Sequence, residues 1–165
     1  RMTVNMESSL TDWLSENLGK NDLLLTPEYT MNEVTMSGVM MYCGWPYYAW
    51  SAGYDTNYRA GQAVLIYTTD DPEILKATVK QEKITYILFE DNMEFEQQEC
   101  REDVIRETYP LVYTSEDGRI RIYENMTAYI SLCRHTMKKK NIGTVIEQWY
   151  PVVERIGGER PPGDP

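Results

Sequence analysis

The sequence DDPEILKATVKQEKITYILFE, residues 70–90, contains the signals of a helix and of a strand in immediate succession. Asp71 is suited to cap a helix, Pro72 to its first position, and Glu73 to the positive end of the helix dipole. An apolar run follows directly and has the composition of a strand. We therefore predict a helix at 72–80 and a strand at 84–89. This order of elements is typical of a sheet that is covered by helices.

The residues before this pair continue the same pattern. SSLTDWLSENLG predicts an amphipathic helix at 9–18, and DLLLTP predicts a short buried strand at 22–25. Residues 33–42 favour a second strand or an extended loop. Residues 54–67 can form a helix with Asp55 in its first turn, although Gly61 weakens that pattern. A strand and a helix thus precede the pair, which is the βαβ order of a parallel sheet.

The residues after the pair predict a charged helix at 94–107 and then a hairpin. PLVYTSEDGRIRIYE favours strands at 111–114 and 119–123 that are joined by a turn at Asp117-Gly118. Alternation predicts that Ile120 and Ile122 face inward, whereas Arg119 and Arg121 face outward. The predicted fold class is a layered α/β domain with a mainly parallel sheet, an antiparallel edge hairpin and flanking helices. We expect a core domain at 1–125, a helical extension at 126–156 and a disordered tail at 157–165.

Composition excludes several functions. The chain has 165 residues and a formal net charge of −10, which disfavours binding to nucleic acid. It contains no apolar run of membrane-spanning length.

Cys43, Cys100 and Cys133 form no metal-binding spacing, so they favour buried thiols, with one disulfide left open. His135 lies beside Arg134 and a lysine run, which indicates a solvated side chain rather than a catalytic base. No cofactor, metal site or catalytic residue is predicted.

One modification signal is present. Residues 125–127 read Asn-Met-Thr, which matches the acceptor pattern for N-glycosylation. The pattern is meaningful only in a secretory compartment that glycosylates proteins.

The candidate site is the segment YCGWPYYAWSAGYDTNYR, residues 42–59, which carries seven aromatic rings. Between residues 42 and 58 there is no Leu, Ile, Val or Met, and a core usually mixes aromatic with aliphatic side chains. We predict an ordered loop with a shallow groove lined by Trp45, Tyr47, Tyr48 and Trp50. Asp55 and Arg59 are predicted at its rim. The alternative is that the rings only pack, with Asp55 and Arg59 forming a helical ion pair.

The same segment resembles a family. The pattern G-[WY]-x-x-x-x-W-S-x-G, followed by an Arg, a helix and a strand like ITYILFE, resembles a soluble extracytoplasmic region of polytopic glycosyltransferases of the GT-C type. The resemblance covers about residues 13–123. The residues that match the pattern are Gly44, Trp45, Trp50, Ser51, Gly53 and Arg59.

The resemblance implies a role. GT-C enzymes use a lipid-linked sugar, and their catalytic acid usually lies between membrane helices, which these residues do not encode. It therefore implies a non-catalytic domain at the extracytoplasmic face of the membrane. The domain would cover the site formed by the membrane helices of the same full-length protein, or help to hold a saccharide or lipid-linked sugar. The ligand-binding residues it suggests are Trp45, Tyr47, Tyr48, Trp50, Ser51, Asp55 and Arg59.

Two other functions stay open at this point. An independent small α/β enzyme would use Asp55, Arg59 and tyrosines, and would have a deep pocket at the carboxyl ends of its strands. A protein-interaction module would instead present an exposed apolar patch.

Overall fold

The computed structural model describes residues 8–27, 33–95 and 98–126. The helices in these residues are α1 (Ser9–Asn17), α2 (Glu33–Met36), α3 (Pro46–Ser51), α4 (Thr56–Thr68), α5 (Pro72–Gln81) and α6 (Glu102–Thr108). The strands are β1 (Leu24–Leu25), β2 (Tyr86–Glu90), β3 (Leu111–Thr114) and β4 (Ile120–Glu124). The predicted extension at 126–156, apart from Met126, and the predicted tail at 157–165 lie outside the described residues. The proposed domain boundaries therefore stay predictions.

The four strands form one sheet in the order β1-β2-β4-β3. β1 runs parallel to β2, and Leu24 also makes a parallel bridge to Met41. β4 is antiparallel to both β2 and β3. The α/β class, the flanking helices and the antiparallel hairpin are confirmed, but the sheet is less parallel than expected. Helix–strand alternation does not fix strand direction, and the second hairpin strand lies directly beside β2.

Both faces of the sheet are covered, because residues alternate between two layers along β2. Ile87 and Phe89 pack on the side of α4, α5 and α6, while Tyr86 and Leu88 pack on the side of α1. The first layer includes Leu25, Ile66, Tyr67, Leu75, Val79, Ile105 and Tyr123. The second includes Leu10, Leu14, Leu24, Val34 and Ile122. β2 therefore lies at the centre of the hydrophobic core.

The helix caps confirm three predicted helices. The side chain of Asp71 accepts the Glu73 N–H at 2.8 Å, and that of Asp55 accepts the Tyr58 N–H at 3.0 Å. Ser8 caps α1 in the same way, accepting the Thr11 N–H at 3.1 Å. These short-range bonds satisfy N–H groups that a helix leaves free at its start.

Two predicted elements are partly wrong. The helix predicted at 94–107 begins only at Glu102, because the N–H of Arg101 donates to the carbonyl of Tyr67 at 2.8 Å and Phe95 stacks on the Tyr67 ring. The stretch 33–42 begins as α2 rather than as a strand or an extended loop. It is extended only where it approaches β1, where the N–H of Tyr42 donates to the carbonyl of Leu24 at 2.8 Å.

The hairpin turn is confirmed, but one of its arginines is placed differently. Gly118 has a φ of +75°, and Asp117 accepts the Arg119 N–H at 3.1 Å. Arg121 was expected to face outward, yet its side chain is only 18% exposed. Its guanidinium binds Asp91 at 2.6 Å and also binds Glu102. The guanidinium lies over the Phe89 ring on a covered face of the sheet, where little of it reaches solvent, so its charge is paired instead.

Asn125 follows β4 and lies inside the fold, only 5% exposed. Its side-chain amide donates to the carbonyl of Ile84 at 3.0 Å, and its backbone N–H donates to that of Thr85 at 2.8 Å. The Asn of the glycosylation pattern therefore fastens the end of β4 to the residues before β2.

Cys43 is buried and Cys100 is half-buried, and the two do not form a disulfide with each other. The thiol of Cys100 donates to the carbonyl of Met93 at 3.3 Å. Cys133 and His135 lie outside the described residues. Within the described ranges, no helix has the length and apolar character that crossing a bilayer requires.

Candidate functional site: an aromatic groove on α3

The aromatic segment is partly helical rather than a loop throughout. Pro46 begins α3, a position that suits proline because its missing N–H would have no helical partner there. After α3 the chain turns at Gly53, whose φ is +86° and whose N–H donates to the carbonyl of Trp50 at 2.9 Å. Tyr47 and Trp50 are three positions apart, so the helix places them on neighbouring positions of one face.

These two rings form an exposed pair. Tyr47 and Trp50 are each 65% exposed, and their ring centroids are 6.2 Å apart with 41° between the planes. With Trp45, Pro46 and Thr56 they line a shallow groove of about 530 Å³. The groove is open to solvent, so it offers a contact surface rather than an enclosed pocket. The side chain of Tyr48 lies outside the described atoms, so its predicted place in the groove stays a prediction.

The groove rests on a buried anchor at the start of the segment. Tyr42 is buried, and Arg59 donates to its backbone carbonyl at 2.8 Å. The guanidinium of Arg59 also lies over the rings of Tyr42 and Tyr54, at 5.2 and 5.6 Å from their centroids. Arg59 thus joins the two ends of the segment that carries α3.

Glu82, at the end of α5, makes a second connection. It accepts hydrogen bonds from the hydroxyls of Tyr42 and Tyr58, each at 2.7 Å. Burial acts to raise the pKa of Glu82, but these bonds, with Gln81 and the nearby Arg59, hold it below its ordinary value. Burial and the same carboxylate raise the pKa of Tyr42. Glu82 is therefore ionised at neutral pH, and the tyrosines remain protonated donors.

The predicted site residues divide between the groove and its support. Trp45, Tyr47 and Trp50 line the groove. Asp55 and Arg59 do not pair with each other, because the carboxylate caps α4 and the guanidinium is held by Tyr42 and Tyr54. Ser51 is exposed at the end of α3.

Sequence reasoning missed three residues of this arrangement. Pro46 and Thr56 line the groove beside the predicted rings, and both stand next to residues that the sequence had singled out. Glu82 supports the segment from 24 and 40 positions away. No local signal marks it as a partner of the two tyrosines.

A second cleft lies at the carboxyl ends of β1 and β2 and has a volume of about 680 Å³. Its lining residues include Pro27, Gly61, Glu90, Asp91, Met93 and Phe95. The enzyme alternative expected a pocket at this place, but neither Asp55 nor Arg59 lines it. Asp91 is engaged by Arg121, which leaves Glu90 and Glu94 as the cleft's other carboxylates.

A likeness to known proteins is found in structure but not in sequence. No protein-family model matches the chain, and no curated protein matches it in sequence. The fold is similar to the crystal structure of the C-terminal globular domain of an oligosaccharyltransferase from Archaeoglobus fulgidus. The TM-score is 0.45 at 12% identity, over 70% of this chain and 93% of that one. Values at this level transfer neither a residue role nor an activity to this chain.

Proposed function

We propose that this chain is a non-catalytic domain of a glycosyltransferase-like membrane protein and that its aromatic groove holds a saccharide. The observation that carries the proposal is the exposed pair of Tyr47 and Trp50 beside the groove. Two large rings held in water leave apolar surface uncovered, and surfaces of this kind often mark binding sites. Trp50 is also one of the matching residues of the pattern that resembles GT-C proteins, whereas Tyr47 falls on one of its unspecified positions.

The chemistry of the groove suits contact with a sugar rather than catalysis. Aromatic faces offer flat apolar surface to the C–H groups of a pyranose ring, while the polar handles of Tyr and Trp, with the hydroxyl of Thr56, can bond its hydroxyl groups. The lining residues supply contact area and hydrogen bonds but no acid–base pair of the kind that glycoside chemistry uses. In this proposal the chemistry belongs to the membrane part of the full-length protein.

The support beneath the groove fits a binding role. A preorganised surface binds more tightly because fewer groups must be ordered when the ligand arrives. Tyr42, Arg59 and Glu82 fix the segment from the buried side, so the exposed rings stand on a rigid base. The proposal places this surface on the extracytoplasmic side, next to the membrane helices of the same protein.

A titration tests the saccharide part of the proposal. Uncharged oligosaccharides and a lipid-linked sugar analogue are added to the chain while amide and indole N–H shifts are followed by NMR. We expect weak binding with shifts centred on 45–56, and an affinity lowered roughly tenfold by Trp50→Ala. Leu111→Ala, which alters an exposed residue on β3, is the matched control and leaves binding unchanged. Shifts centred on the second cleft would instead favour the enzyme alternative.

The gene tests the membrane part. A reading frame that encodes several membrane helices next to these residues supports the proposal. A frame with none contradicts it and favours the enzyme or the protein-interaction module.

A further inference from the structure

We propose that the aromatic groove selects uncharged saccharides over anionic ones. The inference rests on the proposed function, because it specifies the ligand of the same groove. It follows from the charges that surround the exposed rings and from those that the fold has already paired.

The rings themselves disfavour an anion. The face of an aromatic ring is the negative part of its quadrupole, which attracts weakly positive C–H groups and repels a carboxylate, sulfate or phosphate. Tyr47 and Trp50 form the exposed part of the groove, so a ligand meets these rings as it enters. The described lining residues, Trp45, Pro46, Tyr47, Trp50 and Thr56, include no charged side chain.

The charged residues nearest in sequence do not offset the preference of the rings for an uncharged ligand. Asp55 directly precedes the lining residue Thr56, and its carboxylate, which accepts the Tyr58 N–H, adds a negative charge at the start of α4. Arg59 is the cation of the segment, but its guanidinium lies over the Tyr42 and Tyr54 rings and donates to the Tyr42 carbonyl. An anionic sugar would have to draw Arg59 out of these contacts to obtain a charged partner.

The whole chain adds a long-range effect of the same sign. Its formal net charge of −10 repels an approaching anion. Salt screens this long-range part, whereas the repulsion at the ring faces acts at contact distance and is screened less. The two contributions can therefore be separated by ionic strength.

The test compares two ligands of equal length: cellotetraose and its glucuronate analogue, in which each C6 carries a carboxylate. The chain is titrated with each at low and at high NaCl, and the Trp50 indole signal, assigned with Trp50→Phe, reports binding. We expect the glucuronate to bind roughly fivefold more weakly at low salt. We expect part of that difference to remain at high salt.

A matched pair of variants isolates the local contribution. Asp55→Asn removes the charge next to the lining residue Thr56, while Asn still caps the helix well. Asp71→Asn makes the same change at the cap of α5, whose other end bears Glu82. Both variants change the net charge equally, so they should reduce the long-range repulsion equally. Asp55→Asn is expected to narrow the affinity difference between the two ligands more than Asp71→Asn does.

Three results would contradict the proposed selection of uncharged saccharides or the argument for it. Glucuronate binding in the groove as tightly as cellotetraose, or more tightly, overturns the charge selection and leaves the proposed function standing. Shifts from neither ligand at 45–56 overturn the proposed function and this inference with it. Equal effects of Asp55→Asn and Asp71→Asn would show that Asp55 plays no local part, which contradicts the argument from its position.

Discussion

The chain uses aromatic side chains in two opposite ways. Tyr67, on α4, is fully buried and donates to the carbonyl of Leu88 at 2.6 Å, while its ring stacks on Phe95. Trp50, on α3, leaves most of its ring in water. The difference follows from the neighbours, since Tyr67 lies among aliphatic residues that interdigitate with it and Trp50 lies in a segment that has none. Aromatic content alone therefore does not distinguish a core from a surface.

The largest expected effect is in the core. Ile87→Ala removes a fully buried side chain from the central strand and should lower the free energy of unfolding by about 2–5 kcal/mol through the cavity it leaves. Ile74→Ala, at an exposed position of α5, is the control and should stay within about 0.5 kcal/mol. Urea unfolding measures both. A cost below that of the control would mean that β2 is not central.

A second substitution compares the two kinds of tyrosine directly. Tyr67→Phe keeps the ring but removes the hydroxyl that donates to Leu88, and it should lower the free energy of unfolding by about 1–2 kcal/mol. Tyr54 is exposed, and Tyr54→Phe keeps the ring over which Arg59 lies. This substitution should change the free energy of unfolding by less than about 0.5 kcal/mol. Equal effects in thermal or urea unfolding would remove the distinction between buried and exposed aromatic residues.

The stability that Glu82 contributes through its hydrogen bonds to Tyr42 and Tyr58 should depend on pH. The pKa of Glu82 is lower in the folded chain than in the unfolded one, so its bonds to Tyr42 and Tyr58 stabilise the fold above the unfolded pKa of about 4.3. That contribution is lost as pH falls through the lower folded pKa. As the pH is lowered from 7, the difference in the free energy of unfolding between wild type and Glu82→Gln should shrink. Glu73→Gln, an exposed control on α5, should show a smaller change. A constant gap for Glu82→Gln would contradict this assignment.

The smallest effect on stability is expected at the groove. Trp50→Ala should change the free energy of unfolding by no more than about 0.5 kcal/mol, because the ring is largely exposed. The groove would then be a surface whose rings serve a purpose other than folding. A loss of several kcal/mol in urea unfolding would favour packing as the role of Trp50.

The parts of the fold that could be predicted are those whose signals are local. Asp71 and Pro72 stand next to the helix they begin, and the apolar run after them identifies β2. The direction of β4, the burial of Arg121 and the partners of Glu82 depend on contacts between distant residues, so no short pattern contains them. The helical form of α3 was hidden because proline, glycine and aromatic residues around it favour a turn.

Because Asn125 is buried in the folded chain, its glycosylation would depend on how fast the chain folds. Its side chain is buried and its amide nitrogen faces the carbonyl of Ile84, so the closed end of β4 leaves no room for a glycan on that nitrogen. In a cell that glycosylates, an enzyme could reach Asn125 only before β4 docks against β2. The fraction of chains glycosylated at Asn125 would then depend on the rate of glycan transfer relative to the rate of folding. A fast-folding chain would remain unmodified.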